Sequence, residues 1–294
     1  MASASWAALA DAWYSTRMTG YDTILHPTDL RPEAENAFAH ALRLTLASKG
    51  LLSVIHVGDL KQGARWEAFP HVRPLLARWG FLPGRATLRE LRELGMAVKK
   101  VEVGARGAAG RVAGYIVDQS PRLVVLSTHR RRGLDRLLHA SISEQIARRT
   151  HARTLFVPQG VKGFIRTETG EVTLRRILVP LKLGLSPQLA VDEAGHLART
   201  LGCEELRVTL LHVGSKYAMP RVNLAAPSGW VVERLCVQGE VEPEILKAAR
   251  THQVDLIVMV TQGHDGFLDA IRGNSTEQVL HGAHCPVLAI PKHH

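Results

Sequence analysis

The feature that most constrains this chain is that it is written twice. Ile24 to Asp29 (ILHPTD) returns as Ile177 to Lys182 (ILVPLK), and Val54 to Gly58 (VIHVG) returns as Leu210 to Gly214 (LLHVG). Further on, Val124 to Thr128 (VVLST) returns as Ile257 to Thr261 (IVMVT), and Leu155 to Pro158 (LFVP) as Leu288 to Pro291 (LAIP). A period this long marks a duplicated domain and not a stack of short repeats. Each copy must bury a core of its own, and 294 residues suffice for two such cores.

The offsets locate where the copies diverge. The first strand repeats at 177 − 24 = 153 and the second at 212 − 56 = 156, whereas the fourth and fifth repeat at 257 − 124 = 133 and 288 − 155 = 133. The second copy therefore lacks about 156 − 133 = 23 residues between its second and fourth strands. In the first copy that stretch carries Val72, Leu75, Leu76 and Trp79, then Leu88, Leu91 and Leu94, at helical spacing. The second copy has Pro220, Pro227 and Gly229 there, which oppose a long helix and predict an irregular loop.

Short runs of Val, Ile and Leu (51–57, 98–103, 123–126, 154–157) alternate with helical stretches such as Pro32 to Ala47. Strands apolar on both sides, separated by helices, predict an α/β fold. The expectation is two tandem Rossmann-like domains, each a five-stranded, mainly parallel sheet with helices on both faces. The boundaries drawn are an N-terminal tail at 1–20, a first domain at 21–158, a linker at 159–173 and a shortened second domain at 174–294. The tail reads either as a short helix on the body or as disordered, and it lacks the basic start and long apolar core of a signal peptide. The linker is polar and contains Gly160, Gly163 and Gly170.

Composition excludes several classes. No apolar run of about 20 residues is present, so no membrane span is expected. Cys203, Cys236 and Cys285 are widely spaced and form no C-x-x-C pair, which suits reduced thiols in a cytoplasmic protein. Residues 21–160 hold 22 Lys and Arg against 12 Asp and Glu, and residues 161–294 hold 14 against 14, so the formal net charge of +10 resides in the first copy. Arg130, Arg131, Arg132, Arg136, Arg148, Arg149 and Arg153 concentrate it. They form a solvated face, an anion site or a docking surface for an acidic protein partner. No aromatic residues interleave with them, which argues against nucleic acid.

In open parallel sheets ligands sit beyond the carboxyl ends of the strands, where the strand order reverses. Those are the turns after the first and fourth strands of each copy. In the second copy Gly263 is followed, after nine intervening residues, by Gly273, Asn274, Ser275 and Thr276 at the start of a helix. Glycines admit an anion to backbone N–H groups, and a helix N-terminus adds donors and the positive end of its dipole. The same residues also make an ordinary loop and N-cap. Gly104, Gly107 and Gly110 form a turn into a helix near Val112, and His56 and His212 read as packed core residues, while His26 lies beside Asp29 at the proposed ligand edge. G-x-S-x-G, H-E-x-x-H and G-x-x-x-x-G-K-[ST] are all lacking.

On these residues both halves resemble universal stress protein domains, and the chain resembles a tandem member of that family over 22–291. The family pattern is a first strand ending V-P-x-D, a second ending H-V, then G-x-x-G, nine residues, G-[ST], and a last strand opened by C-P-V. The second copy supplies Ile177 to Pro180, His212 and Val213, Gly263, Gly273, and Cys285 to Val287. The first supplies His26 to Asp29, His56 and Val57, and Ser127 to His129 leading to Ala140 to Ser143.

The resemblance implies a non-enzymatic stress-response protein, binding ATP, ADP, AMP or a related anion with degenerate motifs. In nucleotide-binding members the acid after the first strand and the valine after the second hold adenosine, and the glycine loop with its Ser or Thr holds phosphates. Carried over, the first-copy positions are Pro27, Asp29, Val57, Arg130, Ser141 and Ser143, with Ser127, Arg130 and Ala140 in place of the three glycines. The second-copy positions are Pro180, Lys182, Val213, Gly263, Gly273, Asn274, Ser275 and Thr276, with Val260 for the first glycine and Lys182 for the acid. Lysine accepts no hydrogen bond from ribose or adenine. The first copy thus retains the adenosine-side acid and the second the phosphate-side glycines.

The alternative is a nucleotide-independent interaction module that uses the basic first domain. An ATP pyrophosphatase or electron-transfer flavoprotein shares similar sheets, but no S-G-G-x-D-S loop follows the first strand. Single-domain relatives pair through their last strand, so the resemblance further implies intrachain pairing of Thr154 to Val157 with Val287 to Ile290, with a homodimer also open.

Overall fold

In the computed structural model, residues 23–58, 71–104, 107–128, 146, 150, 152–261 and 275–292 are described. The first half begins with β1 (Thr23–Thr28), and Pro32 opens a 3₁₀ turn that runs into α1 (Glu35–Ser48). The α1 helix ends at Lys49 in the left-handed region, and β2 (Leu51–Gly58) follows. The apolar spacing around Leu75 and Leu88 gives α2 (Val72–Arg78) and α3 (Leu88–Glu93). A reciprocal Thr87–Glu90 capping box starts α3 by satisfying two otherwise unpaired N–H groups. Next come β3 (Ala97–Gly104), α4 (Ala108–Gln119), β4 (Leu123–Thr128) and β5 (Thr154–Pro158). The α4 helix opens at Gly107, whose φ of 69° is the turn expected of that glycine-rich stretch.

The second half repeats the plan with β6 (Arg176–Pro180), α5 (Pro187–Thr200) and β7 (Leu206–Val213). Only a 3₁₀ turn at Lys216–Ala218 lies between β7 and β8 (Trp230–Val237), as the two prolines and Gly229 predict. Then follow α6 (Val241–Thr251), β9 (Leu256–Thr261), α7 (Ser275–Gly282) and β10 (Val287–Pro291).

All ten strands form one sheet in the order β3-β2-β1-β4-β5-β10-β9-β6-β7-β8. Every pairing is parallel except the central one, where Phe156, Leu155 and Thr154 face Val287, Leu288 and Ala289 antiparallel. The expected intrachain pairing of the last strands is therefore present. One face carries a core continuous across both halves, built on Phe38 and Leu42 of α1 and Val191, Ala194 and Leu197 of α5. The other face carries two separate clusters, one under α4 with Val112 and Ile116, the other under α6 and α7 with Ile245 and Val279. The halves thus share one helical layer, and on the other face Ala289 and Leu280 of the second half also reach the cluster under α4.

The polar segment 159–173 is packed onto the first half. Phe164 and Ile165 are buried, and Ile165 bridges Val172 to close a hairpin. Four side chains of the first half hold it. Asn36 Nδ2 donates to Val161 O (2.8 Å), Arg43 Nε to Gly170 O (3.1 Å) and Trp79 Nε1 to Thr167 O (2.9 Å). His40 Nδ1 lies 2.7 Å from Asn36 O and must donate, so Nε2 accepts from Phe164 N and Ile165 N (3.1 and 3.3 Å). A Cβ at Gly163 would run into the His40 ring.

Candidate functional site

The strand orders set the sites. Within each half the order reverses beside the first strand, between β1 and β4 and between β6 and β9. These are the switch points at which doubly wound sheets bind ligands. Because β5 and β10 run antiparallel, the carboxyl ends of the two halves face opposite edges of the sheet. The turn after β1, which carries Asp29, and the turn after β6, which carries Lys182, therefore lie on opposite edges of the sheet.

At the first edge Pro27 is buried within β1 and Asp29 is exposed just beyond its end. The Asp29 carboxylate accepts from Arg31 N (3.2 Å) and pairs with Arg31 Nε (3.3 Å), which holds it in a turn with Leu30 at a φ of 60°. His26 does not face this edge. Its ring is buried against Phe38, with centroids 5.8 Å apart, and Nδ1 donates to Val125 O at 2.9 Å. Burial pushes its pKa down to about 4, so it is a neutral core residue at ordinary pH. Val57 extends β2 opposite Val103. Ser127, at the first glycine position, accepts from Gln159 Nε2 (3.2 Å). Arg130, Ser141 and Ser143 lie outside the described residues, as do Arg131, Arg132, Arg136, Arg148, Arg149 and the tail at 1–20.

At the second edge Pro180 closes β6 and Lys182 is exposed in the turn that leads to α5. His212 is buried at the end of β7 and donates from Nδ1 to Leu181 O (3.1 Å), so it serves the backbone of this turn. Val213 is half-buried above the α6–α7 cluster. Lys292 Nζ donates to Gly184 O (2.9 Å), bringing a second lysine to the turn that carries Lys182. Val260, at the first glycine position, is a core residue within β9. The α7 helix begins at Ser275 and includes Thr276, whereas Gly263, Gly273 and Asn274 lie outside the described residues.

Chemically, the second edge offers cations and a helix start but no carboxylate from the turn after its first strand. The first edge offers a carboxylate already engaged by Arg31. Burial raises the thiols of Cys203 to about 11 and Cys285 to about 12, so neither is a nucleophile at neutral pH. Among the described residues, no His, Cys, Asp and Glu cluster could hold a metal, and no helix is long and apolar enough to cross a membrane.

Sequence reasoning missed one polar cluster. Glu193, buried on α5, meets Arg153 Nε at 3.3 Å and Arg122 Nη2 at 3.6 Å, both from the first half. The available signal was an acid beside the apolar stripe of Ala190, Ala194 and Leu197, a position that demands a cationic partner.

The fold and its edges define a class: two doubly wound α/β units fused through their last strands, with one switch-point crevice each. A sequence profile of the Universal stress protein family matches residues 20–158 and 221–291, more than half of the chain. The chain belongs to the universal stress protein family. The profile leaves 159–220 unmatched, yet β6, α5 and β7 stand there in the positions of β1, α1 and β2.

A universal stress protein of Methanocaldococcus jannaschii is 34% identical over 92 residues, 31% of this chain and 54% of the relative, so this chain spans about half the length of that relative. The crystal structure of a universal stress protein from Archaeoglobus fulgidus aligns over 92% of this chain and 97% of its own at a TM-score of 0.60 and 14% identity. A functionally unknown protein from Pseudomonas aeruginosa aligns over 92% of both chains at a TM-score of 0.56 and 14% identity. At these identities the two structures establish likeness of fold alone.

Proposed function

We propose that this chain is a non-enzymatic, cytoplasmic stress-response protein whose second half holds an adenine nucleotide, or a related phosphorylated anion, chiefly by its phosphates. One observation carries this reading: β6 and β9 are neighbours at a reversal of strand order, and α7 starts at Ser275 shortly after β9 ends. Ser275, Thr276 and the preceding Gly273 and Asn274 would receive phosphate oxygens, with Lys182 supplying positive charge and Val213 an apolar wall. Lys182 leaves the ribose without the acceptor that a carboxylate would provide, so recognition falls on the phosphates. Mass spectrometry of small molecules released from gently purified protein tests this. A phosphorylated nucleotide in stoichiometric amount supports the reading, and protein purified without any phosphorylated ligand counts against it.

A second reading rests on the Asp29–Arg31 pair, which occupies the acid at the first edge. Under it the first half binds no nucleotide and its basic surface meets an acidic protein partner. Changing Arg130, Arg131 and Arg132 to Glu should then abolish that association, and unaltered association would reject it.

A further inference from the structure

The interface between the halves is not symmetric in charge, although the chain that builds it is a repeat. Leu155 lies opposite Leu288, its own repeat mate at an offset of 133, so a pseudo-twofold axis passes through this pair. The offset of 153 makes His40 on α1 the mate of Glu193 on α5. The offset of 133 makes Asp255 the mate of Arg122, and Pro286 the mate of Arg153. Glu193 of the second half sits between Arg122 and Arg153 of the first. At the pseudo-equivalent place His40 receives the N–H groups of Phe164 and Ile165, so the linker fills one crevice and the ion cluster the other.

Replacing each residue with its repeat mate gives the joint that two like halves would form. Two first halves would set neutral His40 against Arg122 and Arg153, leaving two half-buried arginines at the joint without the Glu193 carboxylate. Two second halves would set Glu193 against Asp255, an acid against an acid. Side-chain size gives the same answer. Thr154 and Phe156 face Ala289 and Val287 on one side of the sheet. Paired first halves would place two Phe156 rings on diagonal positions of this patch, and paired second halves would leave only Ala and Val to fill it.

We propose that Glu193, with Arg122 and Arg153, is a specificity determinant that lets the first half accept only a second half as partner, and so selects the heterotypic joint over a homotypic one. Like charges brought together at an interface suppress the wrong partner more strongly than a good pair rewards the right one.

The test uses the full chain carrying a protease site between Glu168 and Thr169, at the exposed tip of the linker hairpin. The folded protein is cut, unfolded in urea, refolded and weighed by native mass spectrometry. The expected result is that complexes of one first and one second fragment exceed homotypic pairs by at least about tenfold. Glu193→Arg should reduce the heterotypic complex by at least about tenfold, and adding Arg122→Glu with Arg153→Glu should restore it. Should Glu193→Arg fail to fold, the isosteric Glu193→Gln keeps the shape and should lower the heterotypic excess severalfold. Homotypic pairs in statistical proportion, fragments that stay apart, or a Glu193→Gln excess equal to the parent would overturn the proposal.

Discussion

Lowering the pH should destabilise the first half in a window set by two buried histidines. His26 and His40 are fully buried, each donates Nδ1–H to a backbone carbonyl, and burial pushes both pKa values down to about 4. Protonating His40 would also place a proton against the Phe164 and Ile165 N–H groups that its Nε2 accepts. In the unfolded chain both rings titrate near the ordinary 6.5. Between those values the unfolded state binds more protons, so stability is full above pH 6.5 and falls as the pH drops towards 4. At pH 5 the loss is about 2 kcal/mol per histidine and about 4 kcal/mol for the pair. That is a large share of the roughly 5–15 kcal/mol that holds a domain together. Urea midpoints at pH 7, 6 and 5, read by tryptophan fluorescence, measure the slope. His40→Gln retains an acceptor for the two N–H groups, and His26→Asn retains the donor to Val125. Each should flatten the decline by about half, and the double variant should nearly abolish it. An unchanged slope in the double variant would refute the assignment of the window to these rings.

The linker and the second site each yield a further expectation. Gly163→Ala should cost about 2–3 kcal/mol in urea denaturation, because the added carbon overlaps the His40 ring and the hairpin must move; a cost below about 0.5 kcal/mol would mean that the contact yields freely. Lys182→Asp should strengthen adenosine recognition at the second edge by returning an acceptor to the turn after β6, read as tighter ATP binding in calorimetry. Equal or weaker binding would show that Lys182 is not what limits that site.

Much of the architecture was legible because its causes are local. Uninterrupted Val, Ile and Leu runs fix the inner strands, buried on both faces, while the charged residues in β3 and β8 mark the half-exposed sheet edges, and Pro220, Pro227 and Gly229 rule out a helix in the short crossover. The paired last strands followed from the resemblance and not from the residues, since Leu155 to Val157 differs little from any other buried strand. The segment 159–173 reads in sequence as a polar linker, yet Phe164 and Ile165 within it are buried. Nothing within it announces that Asn36, His40, Arg43 and Trp79 hold it from a distance. Glu193 was missed for the same reason, because its arginines lie 71 and 40 positions earlier in the chain. The site was partly legible. Asp29 and Lys182 lie exposed just beyond β1 and β6, whereas His26 turns inward to Phe38.

The most direct measurement is a calorimetric titration of the intact protein with ATP, ADP, AMP and adenosine in parallel. Saturable heat is expected from the phosphorylated ligands, weakening from ATP to AMP and vanishing for adenosine, with the signal removed by Gly273→Asp while Asp29→Ala leaves it in place. No heat from any nucleotide up to millimolar concentration, or heat that survives Gly273→Asp and disappears in Asp29→Ala, would contradict it.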